Sequence, residues 1–241
     1  MAELLEGGCR VTALREGQPQ RSGTLSVYHQ VSQKHGAQAI TLRILDFAAG
    51  RSPELRNSVD EVVFVIEGQG TLLLDGKPHA IAAETGVHIA PGVSWALECT
   101  APMLLASSRC PDPGDAPLSA PAAPHDAPAP PVALSDQKAR PTADRWYRTL
   151  IDAIVTQFVG GIPPGRAPDH YHHYEEVLCI LRGRGRMWAG QTNAPIATGS
   201  CIYLPRGQVH CVENTGPGEL VLLGCFYPAG SPAVRYNPET P

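Results

Sequence analysis

The chain has no basic run, and its net charge is only −4 across 241 residues. Aromatic and basic side chains do not interleave, so it lacks the footprint of a nucleic-acid binder. No stretch approaches the ~18 consecutive apolar residues that cross a bilayer as a helix. Met1 to Arg10 has no basic segment followed by an apolar run and does not read as a secretory signal. None of the seven cysteines forms a C-x-x-C pair. An odd number of cysteines without paired spacing reads as free thiols in a reducing, cytoplasmic setting. The expectation is a cytoplasmic protein with neither a nucleic-acid nor a membrane partner.

Apolar residues make up 43% of the chain, enough for a real core. Glycine and proline, 24 each, suit short strands and turns better than helices. Glu61 to Ile66 is apolar after its first residue and runs into Gly68-Gln69-Gly70; Asp75-Gly76 then marks a hairpin. Glu176 to Leu181 repeats this arrangement about 115 residues later and runs into Gly183-Arg184-Gly185. Between the copies, Pro111 to Pro131 is Pro- and Ala-rich and has too little apolar bulk to fold alone. The reading is all-β, with a first domain over 1–110, a linker or strap over 111–142 and a second domain over 143–241. Residues 1–20 are left as a leader. Arg145 to Leu150 reads as a strand, with a short helix over 143–151 as the alternative.

Gly165 to Asn214 carries the chemistry. His170, His172 and Glu176 share one parity, and residues of one parity on a strand point to one face. Two imidazoles and a carboxylate on one face make a half-site for a divalent transition metal. His210 can complete it from a neighbouring strand, while parity turns His173 and Glu175 away. The stretch resembles the two signature motifs of the cupin superfamily: His170, His172, Glu176 and Gly183 match the first, and Gly199, Pro205, Gly207, His210 and Asn214 the second. The resemblance implies two jelly-roll-like antiparallel β-barrels in tandem, a bicupin. It also implies one metal held by His170, His172, Glu176 and His210.

In the first copy the corresponding positions are Leu55, Asn57 and Glu61, with Trp95 or Ala96 in place of His210. Three of the four lack an imidazole, so the first barrel is expected to be metal-free and structural, with Glu61 bonded to Asn57. Its role would then be packing, either covering the edge strands of the second barrel or making a homodimer interface.

Three imidazoles and a carboxylate leave a position open on the cation, which suits catalysis better than a closed structural site. Iron(II) is the first expectation, with manganese, nickel, cobalt or zinc as alternatives. The leading functional reading is an iron or manganese oxygenase (a dioxygenase) using dioxygen on a small organic molecule, with an anionic substrate as one option. The alternatives are a non-redox isomerase, lyase or hydrolase, and a binding protein without turnover. Tyr203 and Gln157 lie on strands that could face the cavity and join Glu176 as catalytic candidates. Met187 or Trp188 should point inward. Arg182, Arg184 and Arg186 are either a solvated face or an anion clamp, and the tail at Tyr227, Arg235 and Tyr236 could close the barrel end.

Overall fold

The structure is a computed structural model that describes residues 2–111, 113–114, 118–142 and 145–238. It is almost entirely β, at 56% strand and 4% helix, and every strand pairing in its sheets is antiparallel. The chain divides into two units, Gly17–Asp136 and a second made of Met1–Glu16 with Gln137–Pro241. Each unit is a pair of sheets closed around its own apolar core.

The repeat gives the central strand of each larger sheet. Asp60–Glu67 lies between Thr85–Ile89 and Met103–Cys110, and Glu175–Arg182 lies between Ser200–Leu204 and Leu220–Tyr227. Strands buried on both faces need apolar side chains at both parities, which explains the continuous run Val62 to Val65. At the end of each strand sits a glycine with positive φ, Gly68 (+92°) and Gly183 (+97°). A Cβ on either would lie within 3 Å of a neighbouring strand's backbone.

The division of the chain differs from 1–110, 111–142 and 143–241 at both ends of the first segment. Arg10–Ala13 pairs with Ser200–Leu204 and extends the second barrel's larger sheet, so the leader up to Glu16 belongs there, while Gln20–Ser22 pairs with Leu25–Val31 in the first barrel. The Pro-rich segment is a strap on the first barrel: Ser119 bridges to Arg56, and Val132–Ala133 adds an edge strand to Thr85–Ile89. Arg140–Thr142 then starts the second barrel as an edge strand on Arg145–Asp152. Arg145–Asp152 is a strand; of the alternative helix, residues 143–144 lie outside the described residues.

Candidate metal centre

The second barrel positions its histidines through the backbone. His170 and His210 form an antiparallel bridge with N–O distances of 3.0 and 2.8 Å. The turn at Pro205-Arg206-Gly207, where Gly207 has φ +77°, is fastened to the same loop by the Gly207 amide, which donates to the His172 carbonyl at 2.8 Å. The three imidazoles therefore converge. One ligand atom from each of His170, His172 and His210 falls within 4.8 Å of the others.

Nδ1 of His170 donates to the Pro168 carbonyl at 2.9 Å, and Nδ1 of His210 to the Gln208 carbonyl at 2.7 Å. Both bonds assign the proton to Nδ1 and leave Nε2 with a lone pair for a cation. His172 is held differently. Its ring stacks on Tyr174 at 4.5 Å and 11°, and Tyr174 in turn stacks on Phe226 at 4.0 Å.

Burial, and then the neighbouring imidazoles, lower His170 to about 3 and His172 to about 2; burial alone leads for His210, at about 4. All three are neutral at pH 7, the form that ligates metal. Two buried histidines beside a third at the cavity wall, with the tautomers of His170 and His210 set by carbonyl partners and one ligand atom of each ring clustered, fit one divalent cation.

Glu176 lies in the same cavity, 6% exposed, with Oε2 3.9 Å from Nε2 of His172. It stands just outside the tight histidine cluster. Burial raises its carboxyl to about 8, with Arg235 opposing the shift.

The cavity measures about 80 Å³. An apolar cavity of ~150 Å³ holds benzene, so this one takes a molecule of only a few heavy atoms. Trp146, Phe158, Leu178 and Leu222 give it apolar walls, and Arg145 and Arg235 bring positive charge. Gly224 makes room for the Phe158 ring, which a Cβ there would meet at 2.3 Å.

Two of the proposed catalytic residues are elsewhere. Tyr203 pairs with Val177, one residue past Glu176, and so takes the other face of the sheet, where its hydroxyl donates to Glu175 Oε1 at 2.5 Å. On the strand Thr156–Ile162 the cavity is lined by Phe158, Gly160, Gly161 and Ile162 but not by Gln157, whose Nε2 lies 3.8 Å from the Cys225 sulfur. Glu175 turns away from the cavity as its parity required, and His173 is exposed. Met187 is the inward member of its pair, and Trp188 donates to Glu213 at 2.8 Å. Arg182 meets Glu219 at 3.8 Å and Arg186 donates to Asn193 at 2.6 Å; neither they nor Arg184 line the cavity. The sequence reading missed Arg145, Trp146 and Tyr174.

In the first barrel, Leu55 pairs with Trp95 as His170 does with His210. Glu61, 0% exposed, accepts the expected bond from Asn57 and two more from Arg43 and Ser107. A guanidinium thus sits against this buried carboxylate.

Residues 158–226 match the Cupin domain family. An uncharacterized protein of Methanocaldococcus jannaschii is 36% identical over 83 residues, which cover 34% of this chain and 61% of that protein. Auxin-binding protein 1 of Arabidopsis thaliana is 33% identical over 70 residues, 25% of this chain and 35% of its own. The chain thus spans less than two thirds of each of these two relatives. Among solved structures, oxalate decarboxylase of Lactobacillus farciminis in its formate complex superposes with a TM-score of 0.73 at 14% identity, covering 92% of this chain and 87% of that one. The oxalate decarboxylase of Bacillus subtilis, studied for its Mn(II) centres, gives 0.73 at 12% identity over 92% and 78%. At such identities the likeness is one of fold. No helix among the described residues is long and apolar enough to cross a membrane.

Proposed function

We propose that this chain, a two-barrel cupin, is a metalloenzyme that acts on a small organic acid in its second barrel. The observation that carries this reading is the open histidine cluster facing a cavity of about 80 Å³ with Arg145 and Arg235 on its wall. His170, His172 and His210 would hold one divalent cation, with Glu176 as a fourth ligand. The cation would act as a Lewis acid toward a carboxylate or carbonyl oxygen of the substrate.

The chain's own residues do the rest. Arg145 and Arg235 attract and orient the acid, because a guanidinium stays charged and matches a carboxylate with two parallel bonds. Trp146, Phe158, Leu178 and Leu222 keep water away from the reacting centre, where charge–charge interactions strengthen as the local dielectric falls. Tyr174 and the Pro168 and Gln208 carbonyls keep the imidazoles in place.

A small acid under two arginines favours bond cleavage next to a carboxylate, a lyase reaction of decarboxylase type with manganese. The fold it shares with oxalate decarboxylases supports this choice. The donor set equally suits iron(II), which favours an oxygenase acting on the same acid as the second reading.

The test is elemental analysis of the purified protein, followed by a panel of two- to four-carbon acids. Consumption under argon with manganese supports the lyase; oxygen uptake with iron supports the oxygenase. His172→Ala should remain folded, lose its metal and lose turnover. Full metal content in that variant, or no acid consumed in either atmosphere, would refute the proposal.

A further inference from the structure

The second barrel holds a pair of cysteines that its metal centre does not use. Cys179 and Cys201 stand directly opposite each other in the ladder between Glu175–Arg182 and Ser200–Leu204. Their sulfurs lie 3.7 Å apart and share a hydrogen bond. Both are free thiols, 2% and 1% exposed. Glu176 and Leu178 line the cavity, and Cys179, of the other parity, lies on the opposite face of the sheet.

We propose that Cys179 and Cys201 are a redox-modification site: hydrogen peroxide closes them reversibly to a disulfide that staples the central strand of the second barrel's larger sheet to its neighbour.

Geometry comes first. Opposed residues on antiparallel strands have Cα atoms about 4.5–5.5 Å apart. That lies within the ~4.4–6.8 Å that a disulfide spans. Side-chain rotation alone then brings the sulfurs from 3.7 Å to the ~2.0 Å of a bond. The outer edges of the two strands are also paired, Cys201 with Thr12 and Cys179 with Leu223, so the cysteines stay opposed while the sheet is intact.

The chemistry balances with peroxide as the oxidant. The Cys179 sulfur, its proton lost, attacks one peroxide oxygen and breaks the O–O bond. This gives a sulfenic acid and a hydroxide, which takes up the lost proton and leaves as water. The Cys201 sulfur then attacks the sulfenic sulfur; the S–S bond forms, and the sulfenic oxygen leaves as a second water with the Cys201 proton. Two electrons pass from the sulfurs to the peroxide. Because Cys201 is already in contact, it resolves the sulfenic acid before further oxidation. The bond to Cys201, and then burial, raise the Cys179 thiol above its ordinary 9. The pair therefore stays reduced until peroxide enters through an opening of the sheet, and it answers prolonged rather than brief exposure.

The two cysteines are 22 residues apart in sequence. The chain between them holds the hairpin of Arg184–Ala189 and Thr192–Ala197, and Arg184–Ala189 pairs with the strand that carries His210. The disulfide thus closes a loop around the segment that backs one of the three histidines. It restricts the unfolded chain and leaves the folded ladder as it is.

The experiment uses the full chain in the presence of a chelator, incubated for hours with hydrogen peroxide and compared with the chain reduced by dithiothreitol. Alkylation in denaturant and mass spectrometry should find two fewer alkylated thiols, and peptide mapping should place the cross-link between Cys179 and Cys201. The melting temperature should rise by about 5–10 °C. Dithiothreitol should reverse both changes. Cys201→Ala should show neither the cross-link nor the rise, and its Cys179 should end as a sulfinic acid; Cys179→Ala carries the same comparison from the other strand if the first variant does not fold. Both thiols still open to alkylation after prolonged treatment would overturn the assignment. So would a cross-link that joins other cysteines, or one that moves the melting temperature by less than about 2 °C.

Discussion

Replacing Arg43 with methionine tests what occupies the first barrel. Glu61 is 0% exposed, and the Arg43 side chain is 4% exposed. Its remaining donors, Asn57 and Ser107, are neutral. Removing one partner from a buried pair leaves an uncompensated charge, at a cost of about 3–5 kcal/mol. A domain stable by ~5–15 kcal/mol loses a large share of that. Asn57→Ala deletes a neutral donor to the same carboxylate and should cost about 1–3 kcal/mol. The double variant Arg43→Met with Glu61→Leu removes both charges and should recover most of the loss. The difference between the single and double variants then measures the coupling. Urea unfolding of the full chain, followed by circular dichroism, supplies the free energies. Metal content is measured alongside and should not change, because the proposed metal ligands all lie in the second barrel. An Arg43→Met variant within ~0.5 kcal/mol of wild type would refute the reasoning, as would a double variant no better than the single.

Other outcomes follow from the second barrel. The imidazoles of His170, His172 and His210 are held at about 3, 2 and 4, below their ordinary 6.5, so below pH 6.5 the unfolded chain takes up protons the fold refuses and stability falls with pH. Glu176, raised to about 8, keeps a proton that the unfolded carboxyl gives up from about 4.5, so its contribution is lost as pH rises through 8. The melting temperature of chelated protein, measured from pH 4 to 9, should therefore peak near neutrality; a steady climb from pH 7 to 9 would contradict this. Tyr203→Phe removes a donor from the buried Glu175 and should cost about 1–2 kcal/mol in denaturant melts while leaving turnover unchanged. Gly224→Ala drives a methyl into the Phe158 ring, and should cost about 1–3 kcal/mol and weaken acid binding as the ring shifts into the cavity.

How much could be read from the sequence depended on the range of the signal. His170, His172 and Glu176 are close in sequence and line one cavity, although a single strand does not carry them: the strand starts at Glu175, a bend at 173–174 precedes it, and His170 is placed by its bridge to His210. The hairpin turns and the repeated central strand are local signals too. Tyr203 and Gln157 needed the pairing register, and a shift of one residue sends every side chain to the other face. Tyr203 faces Val177 rather than Glu176 across the ladder, which nothing near Tyr203 encodes. Arg10–Ala13 finds its partner strand about 190 residues later, so its membership of the second barrel left no local trace. Arg235 follows a short Gly- and Pro-containing tail without periodicity, and only the bridge between Tyr171 and Tyr236 brings it to the cavity.

The register also explains why one barrel binds its cation internally and the other is built to take one from outside. In the first barrel Val63, two residues past Glu61, pairs with Ser107, and Ser107 pairs with Arg43. In the second, Leu178, two residues past Glu176, pairs with Gly224, and Gly224 pairs with Phe158. The positions that supply a guanidinium and a hydroxyl to Glu61 thus hold a phenyl ring and a bare backbone in the second barrel. The glycine is what admits the ring. Across from them, Leu55, Asn57 and Trp95 of the first barrel correspond to His170, His172 and His210. A buried carboxylate needs a positive partner or a proton. Glu61 has Arg43; Glu176 has no such side chain at the matching position and faces three neutral imidazoles instead. Lone pairs of the imidazoles beside a carboxylate suit one divalent cation, and the Phe158 side of the cavity is left apolar.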